Sequence, residues 1–156
     1  MEKDIVVEKE PIVILMADDD DDDFLLTQKA LKKSKLLNKL IRVKDGEELL
    51  DYLHNRGKFK GKAERPGVIL LDLNMPRKDG REALKEIKSD DNLNSLPVVV
   101  FTTSKAEEDI YRSYKLGVNS FITKPVTFES LINVMQALGK YWFEIVELPS
   151  RRDDHK

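Results

Sequence analysis

A doubly wound α/β fold, a five-stranded parallel sheet covered by five helices, is the class the sequence predicts, on three observations. Short continuous apolar runs alternate five times with longer segments of helical periodicity. The central runs are apolar at successive positions, so both faces of each strand are buried, as in a parallel sheet between helix layers. No internal repeat and no Gly/Ser- or Pro-rich linker divides the 156 residues, a length that suits one domain.

The elements follow in order. Residues 12–16, Ile-Val-Ile-Leu-Met, read as a buried first strand. Residues 18–35 read as a helix, because Asp is a good N-cap and acids in a first turn suit the helix dipole. Its amphipathic signal is moderate, with Phe24, Gln28, Leu31 and Lys35 on one side. Leu40–Val43 reads as the second strand, and 47–55 as a helix with Leu49, Leu50 and Leu53 inward. The stretch 55–67 is polar, basic and broken by Gly57, Gly61, Pro66 and Gly67, so it reads as a long loop. Val68–Leu71 is the third strand, 72–80 a loop containing Pro76, and 81–90 a helix with Ala83, Leu84 and Ile87 inward. The fourth strand is 97–101. A helix then carries Ala106, Ile110 and Tyr114 on one face until Gly117 stops it. Ser120–Thr123 is a short fifth strand. Phe128, Leu131, Ile132, Met135 and Leu138 mark an amphipathic last helix. The domain is expected to span 11–148, between a charged tail at 1–10 and a polar tail at 149–156.

Composition narrows the function classes. With 27 basic and 29 acidic residues the net charge is −2, which lacks the basic excess of a nucleic-acid binder. Zero cysteines exclude disulfides, zinc-thiolate sites, iron–sulfur clusters and a thiol nucleophile. No apolar run approaches the ~20 residues of a membrane span, and the charged start Met1-Glu2-Lys3-Asp4 leads no secretory signal. A cytoplasmic protein that contacts neither membrane nor nucleic acid is the expectation. The charges are uneven: 18–23 is a run of six aspartates, and 29–44 holds seven basic residues and no acid. Asp20, Asp21 and Asp22 read as a solvated helix start, and the basic stretch as a solvated face.

In an open parallel sheet the ligand sits at the carboxyl ends of the strands. There the sequence places Asp18 and Asp19 after strand one, Asp72 after strand three, Thr102 and Thr103 after strand four, and Lys124 and Pro125 after strand five. Three close carboxylates do not all stay ionised without a cation. A hard divalent ion with oxygen ligands, Mg²⁺ above all, meets that need and carries phosphate oxygens well. A phosphate cradle would show glycines after strand one; aspartates there point to a metal plus a phosphoryl group, with a carboxylate as nucleophile. An EF-hand starting at Asp18 fails, since its sixth position is Asp23 and its twelfth Lys29.

With Ile14-Leu15-Met16-Ala17-Asp18-Asp19, Leu70-Leu71-Asp72-Leu73-Asn74-Met75-Pro76, Val99-Val100-Phe101-Thr102-Thr103-Ser104 and Thr123-Lys124-Pro125 in order at strand ends, the sequence resembles the receiver domain of two-component response regulators, the CheY-like family. The resemblance covers roughly residues 11–140 and implies a flavodoxin-like strand order of 2-1-3-4-5. It implies that Asp72 accepts a phosphoryl group from a phosphohistidine. It implies that Asp18, Asp19, Asp72 and the Asn74 carbonyl hold Mg²⁺, Asp18 through water. Lys124 would pair with a phosphoryl oxygen and Thr102 bind another. Phe121 would be the aromatic switch, the Lys124–Pro125 bond would be cis, and Asn74 and Ser104 would tune dephosphorylation. The implied partners are a sensor histidine kinase or phosphotransfer protein upstream and a downstream protein on the helix 4/strand 5/helix 5 surface. The chain would be a switch rather than a turnover enzyme.

Two features depart from the commonest pattern. Phe121 stands where Tyr is more frequent. The long 55–67 loop and the C-terminal Tyr141-Trp142 and Leu148-Pro149 resemble stand-alone receivers that serve phytochrome-like kinases. Trp142, Phe143, Ile145, Val146 and Leu148 either pack on their own domain or form a homodimer interface. Two other classes stay in view: an unphosphorylated receiver-fold scaffold, and a strand-end-Asp phosphatase, which would want Asp where Asn74 stands.

Overall fold

The computed structural model describes residues 11–124 and 127–140. The elements are β1 (Ile14–Ala17), α1 (Asp21–Lys33), β2 (Leu40–Val43), α2 (Gly46–Leu53), a single 3₁₀ turn (Gly57–Phe59), β3 (Val68–Leu71), α3 (Gly80–Ser89), β4 (Val98–Thr102), α4 (Glu107–Leu116), β5 (Ser120–Thr123) and α5 (Phe128–Leu138). The strands form one parallel sheet in the order β2-β1-β3-β4-β5, as expected.

The sheet divides the core by the two-residue period of its strands. Leu15, Ala17, Ile69, Leu71, Val98 and Val100 face α2 and α3, together with Val118 beyond α4. Ile14, Met16, Val68, Leu70, Val99 and Phe101 face α1 and α5. Every residue of β1, β3 and β4 is buried, whereas β5, at one edge, is only half-buried. The continuous apolar runs therefore mark the three central strands.

Helix starts follow local chemistry. Asp45 caps α2 by accepting from the Glu48 N–H at 2.9 Å. Asp79 caps α3 in a capping box with Glu82. The expected start of α1 at residue 18 is corrected: β1 runs through Ala17, and Asp20 is the N-cap, accepting from the N–H groups of Asp22 and Asp23. Asp18 is unavailable for capping because its carboxylate accepts from the Asp20 N–H and from Lys124.

The α4 face is also corrected. Ala106 is exposed and Tyr114 is 50% exposed, while Ser113 turns inward beside the half-buried Leu116. Tyr114 instead reaches β5, where its hydroxyl accepts from the Phe121 N–H at 3.0 Å. The left-handed Gly117, φ 103°, ends the helix as expected. The 55–67 loop is pinned to the body: Tyr52 donates to the Glu64 carbonyl at 2.7 Å and meets Phe59 edge to face. The C-terminal apolar residues, the dimer expectation built on them, and Pro125 with its peptide bond lie outside the described residues.

Gly80 opens α3 where a Cβ would land on the Asp72 carbonyl oxygen and lie 2.7 Å from the Leu73 Cα. Gly80→Ala should therefore destabilise the domain by roughly 1–3 kcal/mol, although alanine is the better helix former. Urea unfolding checks this. A stabilised variant would mean that the Asp72 loop yields without penalty.

Candidate functional site

The strand ladders place the site. Beyond the strand ends, the Asp18 N–H donates to the Val43 carbonyl, the Asp72 N–H to Ala17 and the Lys124 N–H to Thr102, at 3.0, 3.0 and 2.8 Å. The backbones of three functional residues are thus fixed to neighbouring strands, and one edge of the sheet collects their side chains. Local propensity has no part in this convergence; parallel register does it.

Asp72 is buried. Its Oδ1 accepts from the Thr102 hydroxyl at 2.7 Å and from the Asn74 N–H at 3.1 Å, and its Oδ2 lies 3.3 Å from the Lys124 ammonium. Lys124 also donates to Asp18 at 2.6 Å and to Asp23 at 2.7 Å. One carboxylate oxygen from each of Asp18, Asp19 and Asp72 lies within 4.8 Å of the other two, close enough to share a metal ion. One ammonium therefore serves three carboxylates while a fourth, Asp19, stands by.

This imbalance shows in the acid equilibria. Burial pushes the Asp18 carboxyl up to about 6, against the pull of Lys124. Burial alone would lower Lys124, but its bonds to Asp18 and Asp23 hold it well above the ordinary lysine value. All-oxygen acidic donors with too little compensating charge fit a hard divalent cation.

The structure thus brings together Asp18, Asp19, Asp72, Thr102 and Lys124. Asn74 joins through its backbone, and its side chain accepts from Arg81 at 3.3 Å. Phe121 stands apart, half-buried on β5 against the core. Asp20, Asp21 and Asp22 are exposed, as expected for a solvated helix start.

Sequence reasoning missed Asp23. A run of six identical residues hides which of them turns inward, and only the pitch of α1 selects it. It also missed Arg42, the one charge in β2. Far from being solvated, this side chain is 11% exposed; it donates to the Asp18 carbonyl at 3.0 Å, pairs with Asp21 at 2.7 Å and lies over the Phe24 ring. A lone arginine in an apolar strand was the available signal.

Comparison with known proteins agrees with this geometry. The family model for the response regulator receiver domain matches residues 14–136. The chain is 42% identical over 125 residues to response regulator Rcp1 of Synechocystis sp., covering 80% of this chain and 84% of that protein. Among solved structures it is similar to the phosphorylated cyanobacterial phytochrome response regulator RcpA, with 42% identity and a TM-score of 0.83 over 89% of this chain and 99% of that one. It is equally similar to the Mn²⁺-bound form of Rcp1, with 42% identity and a TM-score of 0.83 over 90% and 100%.

Protons and a divalent cation should compete at Asp18. Only the ionised carboxylate is a ligand, so apparent Mn²⁺ affinity should be flat above pH 6 and fall by about tenfold per unit below it. Without metal the sign reverses for stability. The neutral form is favoured by the fold, so its contribution is complete below 3.8 and lost as pH rises through about 6. Calorimetric titrations of wild type and Asp18→Asn check the first point; equal wild-type affinity at pH 5 and pH 7 would refute it.

Proposed function

The chain belongs to the response regulator receiver family, and on that premise we propose that Asp72 is the acceptor of a phosphoryl group delivered by a sensor histidine kinase or a phosphotransfer protein. The observation that carries this reading is the setting of the Asp72 carboxylate, held by Thr102 and Asn74 on one oxygen and facing Lys124 with the other. The likeness to RcpA, a phytochrome response regulator, supports a phytochrome-type kinase as donor, and the cytoplasm would be the place of action. A second copy of the chain and an unidentified downstream protein are the further partners. The receiver domain would occupy 11–148 between the two tails.

Asp18, Asp19 and Asp72, with the Asn74 carbonyl, would hold Mg²⁺. Bound there, the ion supplies neutralising charge for the phosphoryl oxygens. Asp72 attacks phosphorus in line, the bond to the histidine nitrogen breaks, and its electron pair stays on that nitrogen. Lys124 stabilises charge on a second oxygen without having to move far, since it already faces Asp72. Phosphorylation of Asp72 removes the carboxylate charge that Thr102 now serves. The hydroxyl is then released toward a phosphoryl oxygen, and this favours one of two states of the helix 4/strand 5/helix 5 surface. Phe121 would follow on β5. The domain catalyses only its own phosphorylation and dephosphorylation, as a switch.

Intact mass after incubation with acetyl phosphate and Mg²⁺ should show one phosphoryl adduct on wild type and none on Asp72→Asn. Absence of the adduct from wild type together with a failure to bind Mg²⁺ would sink the proposal in favour of an unphosphorylated scaffold. Lys124→Ala should label on the order of a hundredfold more slowly. Labelling at the wild-type rate would remove Lys124 from the machinery.

A further inference from the structure

We propose that the Arg81–Asp109 ion pair is a clamp across the mouth of the acceptor site, and that it sets how long a phosphoryl group on Asp72 survives. The inference rests on the acceptor reading above and adds a pair of positioning residues to it.

Arg81, in the first turn of α3, donates from Nε and Nη2 to the two carboxylate oxygens of Asp109, in the first turn of α4, at 2.8 and 2.7 Å. This two-pronged pairing fixes direction as well as distance. The pair also holds a side chain from each loop beside the acceptor. Arg81 Nη2 donates to Asn74 Oδ1 at 3.3 Å, and the Ser104 hydroxyl donates to Asp109 Oδ2 at 2.7 Å. A further bond runs from Arg81 Nη1 to the Leu73 carbonyl at 3.3 Å.

The same two loops meet again at Asp72. The Asn74 N–H reaches Asp72 Oδ1 at 3.1 Å. The Ser104 N–H reaches the Thr102 hydroxyl at 3.5 Å, and that hydroxyl reaches Asp72 Oδ1 at 2.7 Å. Asp72, Asn74, Arg81, Asp109, Ser104 and Thr102 therefore close a ring of hydrogen bonds, with the acceptor at one end and the ion pair at the other. The ion pair is the strong link: Arg81, with help from Ser104, holds the Asp109 carboxyl down at about 2. Arg81 is 41% exposed and Asp109 14%, so the pair stands at the rim, where solvent enters.

Loss of the phosphoryl group forms a bond from a water oxygen to phosphorus and breaks the bond from phosphorus to Asp72. The electron pair returns to the carboxylate, inorganic phosphate departs, and the proton of the water goes to solvent. Asn74 and Ser104 are the residues whose backbones meet Asp72 directly or through Thr102 and whose side chains end on the ion pair. While the clamp is closed, Arg81 engages the amide oxygen of Asn74, and the Ser104 proton is committed to Asp109. Opening it frees both groups to bind and orient water and lets the loops part, so hydrolysis speeds up.

The test loads Asp72 with acetyl phosphate and Mg²⁺, removes the excess, and follows the adduct by intact mass. Arg81→Gln and Asp109→Asn should each shorten the lifetime about fivefold. The double variant should be no faster than either single one, because the two residues act as one unit. Arg81→Lys, which keeps the charge but not the fork, should fall between. Because Arg81 bonds Asn74, whose carbonyl is a proposed ligand, lifetimes are compared at saturating Mg²⁺ and the affinity of each variant is measured beside them; lifetimes that merely track a loss of metal affinity would overturn the clamp. Variants that label normally but live within about twofold of wild type would refute the clamp and leave the acceptor reading standing. No adduct and no Mg²⁺ binding on wild type would overturn both.

Discussion

The ammonium of Lys124 is shared among Asp18, Asp23 and Asp72, at 2.6, 2.7 and 3.3 Å. Lys124 follows β5, Asp18 follows β1 and Asp72 follows β3, so this one charge ties together strands from the edge and the middle of the sheet. Its three donors are all engaged, and the negative charge around it still exceeds its own. Burial, against the pull of Lys124, pushes the Asp18 carboxyl up to about 6. A structure that packed tightly for stability alone would not keep such a deficit; a site that receives cations and charged groups uses it.

The rest of the molecule serves to hold that deficit in place. The three central strands are buried on both faces, and this rigid layer sets where the side chains at their ends stand. Gly80 lets α3 begin against the Asp72 backbone, with its N–H on the Leu73 carbonyl. Arg42 supports the other side, bonding the Asp18 carbonyl from β2. The Asp72 carboxylate thus sits between loops held both to the sheet and to neighbouring elements. Among the described residues no helix is long and apolar enough to cross a membrane.

Most of the fold could be read from the chain because burial on two faces leaves unbroken apolar runs, as in Val68–Leu71 and residues 98–101. Boundaries were less legible where one side chain had competing uses. Asp18 reads as a helix cap, yet Lys124, 106 residues away, claims it. Tyr114 reads as sharing one helix face with Ala106 and Ile110, yet its hydroxyl finds the Phe121 backbone on the neighbouring strand. In the site, Asp18, Asp19, Asp72, Thr102 and Lys124 stood out because each follows a strand directly. Asp23 did not, since nothing local separates it from the five aspartates before it. The Arg81–Asp109 pair was invisible for a similar reason: two ordinary charges on two helix starts become partners only when α3 and α4 lie side by side.

By itself, the sequence determined the order and kind of the elements, the burial of the central strands and the set of chemical groups at their carboxyl ends. These depend on hydrophobic period and residue type, which are local. Only the tertiary structure decided which of the six aspartates meets Lys124, which face of α4 is covered and how Arg81 joins the two loops around Asp72. Those outcomes depend on helix pitch and on distances between segments far apart in the chain, and charge at such distances acts only once the sheet has brought the groups together.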